Sequence, residues 1–177
     1  GGVWRSKDAL GNNPTWRFIS GDIPTNAIGS ITVDPTDPSG NTIYVGTGES
    51  NGSGDSEAGL GLYRSTDGGD SWSLVPGSLG AAGNRSIGGV AIDPFNANHI
   101  LIATRSGTRG VASNGGAVTA PGPAPGVYQS TDGGLSFTLT RAGTAHEVKF
   151  DPSHAGIAYA AIGGVGLVRS SEGGTSW

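Results

Sequence analysis

The octapeptide Ser65-Thr66-Asp67-Gly68-Gly69-Asp70-Ser71-Trp72 recurs along the chain. Close copies lie at residues 130–137 and 170–177, and a stretched copy near the start runs from Ser6 to Trp16 with three additional residues. A short apolar run that begins with glycine precedes each copy, as in Gly61-Leu62-Tyr63-Arg64. Repetition of one short unit is typical of architectures in which neighbouring units bury a shared core.

Each octapeptide is predicted to form a tight turn between two strands. Serine and aspartate side chains bond to backbone N–H groups within their own turn, glycine adopts positive φ without steric cost, and the final aromatic residue packs between sheets. Phenylalanine or glutamate in place of the usual residue, and the stretched copy, are expected to weaken the turn without removing it. We predict a structural role for Ser65, Asp67, Gly69, Trp72, Ser130, Asp132, Gly134, Phe137, Ser170, Glu172, Gly174 and Trp177.

A second repeated element is an apolar strand that ends in Asp-Pro. Asp34, Asp93 and Asp151 each precede a proline, and a further apolar run follows each pair before the next octapeptide. The spacing is 93 − 34 = 59 and 151 − 93 = 58 residues. Strands separated by regular turn signals indicate antiparallel all-β structure. The unit is therefore predicted to be a four-stranded meander.

The octapeptide pattern resembles the Asp-box, or bacterial neuraminidase repeat, of β-propellers. Sialidases, sortilin-like receptors, xyloglucanases and photosystem II assembly factors carry this motif. The stretches 1–31 and 44–49 look most like large secreted prokaryotic repeat proteins. The resemblance implies an all-β fold of propeller blades, each a four-stranded antiparallel meander, and an extracellular or cell-surface location. It says little about activity, because the motif belongs to the scaffold.

The repeats divide the chain into parts of one β-propeller, about three blades' worth of strands. Residues 1–24 form the end of a blade, 25–80 and 81–143 form two blades, and 144–177 start a further blade. Propellers usually close with about four to eight blades. We therefore expect the remaining blades of a longer chain as partners of this segment.

The composition excludes several functional classes. The net charge is −4, with eight Arg and two Lys, so no basic surface for nucleic acid is expected. No apolar run approaches the roughly 18 residues of a membrane-spanning helix. The absence of cysteine excludes disulfides and thiolate metal sites. No cofactor is expected, with calcium as the one possibility considered.

A candidate site is predicted at the blade ends opposite the octapeptides, because long loops lie there. Glu49, Asp55 and Glu57 share one Gly-Ser-rich loop. Three carboxylates could bind Ca²⁺, or supply the acid and base of glycoside hydrolysis, which needs two carboxyl groups about 5–10 Å apart. The alternative is a solvated loop whose polar side chains cap their own turns. Asn51 in the same loop is a further ligand-binding candidate.

Cationic and imidazole side chains supply the other candidates. Arg85, Arg105 and Arg109 could clamp a carboxylate, with solvated arginines as the alternative. The pair His146-Glu147 precedes an innermost strand, where it could act as a base and its orienting acid. The two remaining histidines follow Asp-Pro turns, and both are expected to be solvated: His99 and His154.

Two functional interpretations remain. The first is a secreted or cell-surface scaffold for binding or assembly, with a polysaccharide or protein ligand. The second is a glycoside hydrolase that acts on a polysaccharide through the carboxylates of the 49–57 loop. Sugar-binding aromatic residues are expected on the loop side in an enzyme, whereas all four tryptophans fall in or beside octapeptides. The sequence therefore favours the scaffold.

Overall fold

The computed structural model describes residues 1–109 and 118–177, with the side chains of 109, 118 and 119 left aside. Within these ranges the chain forms one short helix and fifteen strands. Their bounds are β1 Trp4–Arg5, β2 Arg17–Phe18, β3 Ile28–Val33, β4 Ile43–Thr47, β5 Leu62–Ser65, β6 Ser73–Leu74, α1 Ser78–Ala82, β7 Arg85–Asp93, β8 Asn96–Ser106, β9 Thr108–Arg109, β10 Val118–Thr119, β11 Gly126–Ser130, β12 Thr138–Ala142, β13 Ala145–Phe150, β14 Ala158–Ile162 and β15 Gly166–Ser170.

The strands form antiparallel meanders. Two sheets have four strands, in the orders β3-β4-β5-β6 and β7-β8-β11-β12, and these are flanked by the pair β1-β2 and the three-stranded sheet β13-β14-β15. The strands β3, β7 and β13, each the first of its sheet, lie side by side. The protein is therefore an all-β partial propeller, and each of its sheets is a complete or partial blade. A small hairpin, β9-β10, lies within the insertion between β8 and β11.

The hydrophobic core lies between successive sheets. Val3, Ile19 and Trp72 pack together between the β1-β2 pair and the first four-stranded sheet. Leu62 and Ile87 belong to a second cluster, between the two four-stranded sheets. A third cluster joins the second of these sheets to β13 and β14. Burial of apolar side chains between neighbouring sheets thus holds the blades in sequence.

The octapeptides at 65–72 and 130–137 form almost identical turns. The Ser65 hydroxyl accepts from the Gly69 amide at 2.8 Å and donates to Asp67 Oδ1 at 2.7 Å. Asp67 also accepts from the amide and hydroxyl of Ser71, at 2.9 and 2.6 Å. The same four bonds recur around Ser130 and Asp132. Gly69 has φ +91°, which only glycine adopts readily.

The two divergent copies keep part of this network. In the stretched copy, Asp8 accepts from the Ser6 hydroxyl and from the Thr15 amide, both at 2.8 Å. In the last copy, Ser170 still accepts from the Gly174 amide, but among the described residues the longer Glu172 side chain accepts from the Ser176 hydroxyl alone, at 2.7 Å. Insertion thus preserves the turn, whereas the extra methylene of glutamate moves the carboxylate away from the backbone.

The three compact octapeptides each contact the segment that follows the Asp-Pro of their own sheet. The amides of Gly68, Gly133 and Gly173 donate to the carbonyls of Asn41, Asn98 and Gly156, respectively, at 2.7–2.9 Å. These turns therefore lie together at one end of the blades, which we call the octapeptide face. We call the opposite end, with the loop 49–59 and the insertion after β8, the loop face.

The structure corrects one expectation about histidine. His154 is solvated, with a side chain 73% exposed, but the His99 side chain is only 12% exposed. His99 lies within β8 rather than in a turn, where its Nδ1 is 2.9 Å from Asp93 Oδ2 and its ring packs edge-on against Phe150. The carboxylate of the Asp-Pro turn thus holds the imidazole beneath the neighbouring blade. The short helix α1, between β6 and β7, is a further feature that the repeat pattern does not indicate.

Candidate functional site

The loop 49–59 is fixed to its neighbours mainly through its second half. The Thr108 amide donates to the Ser56 carbonyl at 2.7 Å, and the Ala58 amide donates to the Thr108 carbonyl at 2.9 Å. The Gly59 amide donates to the Arg85 carbonyl at 3.1 Å. These bonds join the first blade to the second at the loop face.

Glu49 and Glu57 lie beside one another at the base of this loop. The Glu49 amide donates to the Glu57 carbonyl at 2.8 Å, and the Glu57 amide donates to Glu49 Oε2 at 3.3 Å. Glu49 is exposed and Glu57 is half-buried. Of the three candidate carboxylates, Glu49 and Glu57 are thus the two whose backbones lie side by side.

The tip of the loop is bonded largely to itself. Asn51 Oδ1 accepts from the hydroxyl groups of Ser53 and Ser56. The nearby Ser53 hydroxyl lowers the pKa of Asp55, which favours the ionised carboxylate. This geometry is that of a loop capped by its own side chains, so Asn51 serves the loop's conformation.

Arg105 and His146 meet on the loop face although the sequence separates them by 41 residues. Arg105 Nη1 lies 3.3 Å from His146 Nδ1 and donates to the Ser50 carbonyl at 2.6 Å. Sequence reasoning missed Ser50, because its carbonyl makes the contact and a backbone group leaves no signal in residue type.

Arg85 makes contacts of a structural kind, and the ligand-binding role predicted for it stays a prediction. Its side chain is buried, and it donates to the carbonyls of Asn84, Ala120, Gly122 and Pro123. A guanidinium group has five N–H donors. Three of these hold the proline-rich segment before β11 and a fourth bonds to the neighbouring Asn84 carbonyl, so Arg85 is poorly placed to clamp a ligand.

His146 and Glu147 are turned to different partners. His146 is exposed beside Arg105, whereas Glu147 accepts from the following amide, that of Val148, at 3.0 Å and lies 3.4 Å from Lys149 Nζ. The structure therefore gives no support to a base oriented by the adjacent acid. Arg109 pairs through its backbone with Val118, and its side chain lies outside the described residues.

Two expected features of a ligand site have no counterpart in the described parts of the chain. No group of three His, Asp or Glu side chains converges there to hold a metal ion, so the calcium interpretation of Glu49, Asp55 and Glu57 lacks supporting geometry. The second expected feature is a set of exposed aromatic residues that could bind sugar rings. In the described residues, the exposed large aromatic side chains are Trp4, Trp16 and Phe18, on or next to the β1-β2 pair, and Phe95 in the turn between β7 and β8. None of these four lies in the loop 49–59.

The chain is similar in sequence to a carbohydrate-active enzyme. A xyloglucanase from Hypocrea jecorina (strain QM6a) is 28% identical over 155 residues, which is 82% of this chain and 16% of that protein. The chain thus spans about a sixth of the curated relative. No family model matches the sequence.

Solved structures extend the similarity. A protein described as an ancestral GH74 enzyme is 29% identical, with a TM-score of 0.61 over 92% of this chain and 19% of that one. A GH74 xyloglucanase from Xanthomonas campestris has a TM-score of 0.63 at 18% identity, over 100% of this chain and 27% of that one. A structure described as YCF48 bound to D1 peptide has a TM-score of 0.51 at 20% identity, over 88% of this chain and 40% of that one. The last two show the fold alone.

No helix in residues 1–109 and 118–177 has the length and apolar character needed to cross a membrane.

Proposed function

We propose that this chain is part of a β-propeller glycoside hydrolase that acts on a polysaccharide, with xyloglucan as the first substrate to test. The observation that carries the proposal is the 28% identity to a xyloglucanase along 155 residues. The 29% identity to an ancestral GH74 enzyme supports it independently. Because a polysaccharide of this kind lies outside cells, the proposal includes an extracellular or cell-surface location.

The carboxylates of the 49–57 loop are the residues we assign to this chemistry. Glycoside hydrolysis pairs a protonated carboxyl group with an ionised one. Glu49 and Glu57 are neighbours at the base of the loop, so both can face one sugar ring. Asp55, whose pKa is lowered, suits a base or nucleophile and is poorly suited to donate a proton. The acid role therefore falls to Glu49 or Glu57.

The scaffold interpretation is kept as a second candidate because of one observation. The loop tip is capped by its own side chains through Asn51, as in a loop without a catalytic role. A protein of this kind would bind a polysaccharide or protein ligand without cleaving it. Binding and cleavage are therefore measured together.

The test is the release of reducing ends from xyloglucan by the full-length protein and by Glu49→Gln and Glu57→Gln variants. Loss of an acid or base typically costs about 10²–10⁴-fold in rate, so we expect at least one variant to lose about a hundredfold. Glu172→Gln is the matched control, because it makes the same chemical change on the octapeptide face. Cleavage at the wild-type rate in both loop variants would overturn the residue assignment. Binding of xyloglucan without any cleavage by the wild-type protein would instead support the scaffold.

A further inference from the structure

Arg105 lies where three blades meet on the loop face. It belongs to β8 of the second four-stranded sheet, and its Nη1 donates at 2.6 Å to the carbonyl of Ser50, in the first four-stranded sheet's loop. The same nitrogen lies 3.3 Å from Nδ1 of His146, on β13. One guanidinium group thus joins elements of three sheets.

The first half of the 49–57 loop packs against this guanidinium group. A Cβ atom added to Gly52 would lie 2.6 Å from Arg105 Nη2, and Gly52 has φ +78°, a conformation that favours glycine. The backbone conformation favours glycine at this position, and the end of the Arg105 side chain lies next to the space that a Cβ atom would fill. The loop and the arginine occupy complementary space.

Arg105 is also the main attachment of this half of the loop. Within the described residues, the hydrogen bonds of Asn51 and Ser53 stay inside the loop. Among the residues that the structure describes, the bond from Arg105 to the Ser50 carbonyl is the hydrogen bond that joins residues 50–55 to another blade. The attachments to Thr108 act on the second half, at Ser56 and Ala58.

The hydrogen bonding of Arg105 differs from that of the purely structural Arg85. Arg85 uses all three of its side-chain nitrogens as donors to carbonyls. In Arg105 the buried Nε has no partner among the described residues. Buried polar groups in proteins are normally paired. The Ser50 carbonyl and the His146 imidazole are therefore the groups that fix the position of the Arg105 guanidinium.

We propose that Arg105 is a positioning residue that holds the Glu49–Glu57 loop in the conformation that presents its carboxylates. The planar, permanently charged guanidinium can bond to Ser50 and approach His146 at once, which the ammonium group of lysine cannot reproduce with the same geometry. A charge-assisted bond is about twice as strong as a neutral one. The catalytic part of the proposal rests on the proposed glycoside hydrolase function, whereas the effect on the loop does not.

The loop arm of the test uses a Glu-specific endoprotease on the full-length protein, with products identified by mass spectrometry. Cleavage after Glu49 reports opening of the loop, and cleavage after Glu172, exposed on the octapeptide face, is the internal reference. Loss of a hydrogen bond to a charged group corresponds to about tenfold or more in an opening equilibrium. We therefore expect Arg105→Ala to raise the ratio of the two cleavage rates about tenfold, and Arg105→Lys to raise it less.

Arg64→Ala is the matched control, because Arg64 is an exposed arginine on β5. It should leave the ratio unchanged. An unchanged ratio in Arg105→Ala contradicts the proposal. An equal rise at Glu49 and Glu172 also contradicts it, because that result describes a general loss of stability.

The activity arm separates this proposal from the proposed function. If the protein cleaves xyloglucan, Arg105→Ala should lower kcat about tenfold and change KM less than about twofold, because the residue acts on the catalytic loop and not on the substrate. A change confined to KM would contradict positioning. If the wild-type protein does not cleave xyloglucan, the proposed function fails, and the protease ratio still decides whether Arg105 holds the loop.

Discussion

Asp67 and Glu172 occupy the same position in two octapeptides but make different numbers of bonds. Asp67 accepts from two hydroxyl groups and one amide, whereas Glu172, in the part of the chain that the structure describes, accepts from the Ser176 hydroxyl alone. We predict that Asp67→Ala lowers the melting temperature more than Glu172→Ala does. Thermal unfolding followed by circular dichroism measures this, with Thr66→Ala, a change at an exposed position of the same turn, as control. Equal melting temperatures for Asp67→Ala and the wild-type protein would refute the role of the carboxylate.

The same turns make stability depend on pH in the acid range. The hydroxyl of Ser136, its amide and the Ser130 hydroxyl lower the pKa of Asp132 to about 2, against about 3.9 in an unfolded chain. The pKa of Asp132 is lower in the folded protein than in the unfolded chain. The stabilisation that the ionised Asp132 carboxylate gives the fold is therefore fully present above about pH 4 and is lost as the pH falls through about 2. Urea unfolding at pH 5, 4 and 3 should therefore show a shrinking stability difference between wild type and Asp132→Asn. A difference that stays constant over this range would show that Asp132 does not supply it.

At the scale of elements, β8 is joined to the neighbouring blade by a largely covered histidine, whose side chain is 12% exposed. His99 bonds to Asp93, lies 2.9 Å from the Gln129 amide nitrogen and contacts Phe150 on β13. Removing it leaves the Asp93 carboxylate, which is 10% exposed, without this partner. A buried group deprived of its partner costs about 1–3 kcal/mol.

We therefore expect His99→Ala to lower the free energy of unfolding by about 2 kcal/mol, as measured by urea denaturation. His154→Ala is the matched control, because that side chain is 73% exposed and also lies next to an Asp-Pro aspartate. The same small effect for both variants would mean that His99 does not hold the blades together.

The sequence predicts well the elements that depend on a short, repeated residue pattern. The octapeptide turns need only serine, an acidic residue and glycine at fixed spacing, and the sheets follow from alternating apolar runs and turns. What could not be predicted depends on contacts between blades. His99 resembles His154 in its sequence surroundings, and only the packing of β13 against β8 distinguishes them.

The sequence indicates where the candidate residues lie, and their roles in a site stay predictions. Long loops opposite the octapeptides locate Glu49, Arg105 and His146 on one face. The contacts of Arg85 depend on three carbonyl groups of a segment 35 to 38 residues later, and carbonyls are common to every residue type. For the same reason, the contact between Arg105 and Ser50 has no signature in the sequence.

At the scale of the whole molecule, the two end sheets expose apolar residues where the inner sheets bury them. Trp4 on β1 is 54% exposed and Leu167 on β15 is 75% exposed. Propeller sheets are normally covered on both sides by neighbours. We propose that further blades of a longer chain cover these surfaces, and the 16% share of the xyloglucanase that this chain spans fits that proposal.

The most direct test of the central claim is the chain length of xyloglucan after incubation with the full-length protein, measured by size-exclusion chromatography. A polysaccharide-cleaving propeller should shorten the polymer progressively, and the double variant Glu49→Gln, Glu57→Gln should not. Undiminished chain length with the wild-type protein, under conditions in which it binds the polymer, would contradict the hydrolase and leave a binding scaffold as the function.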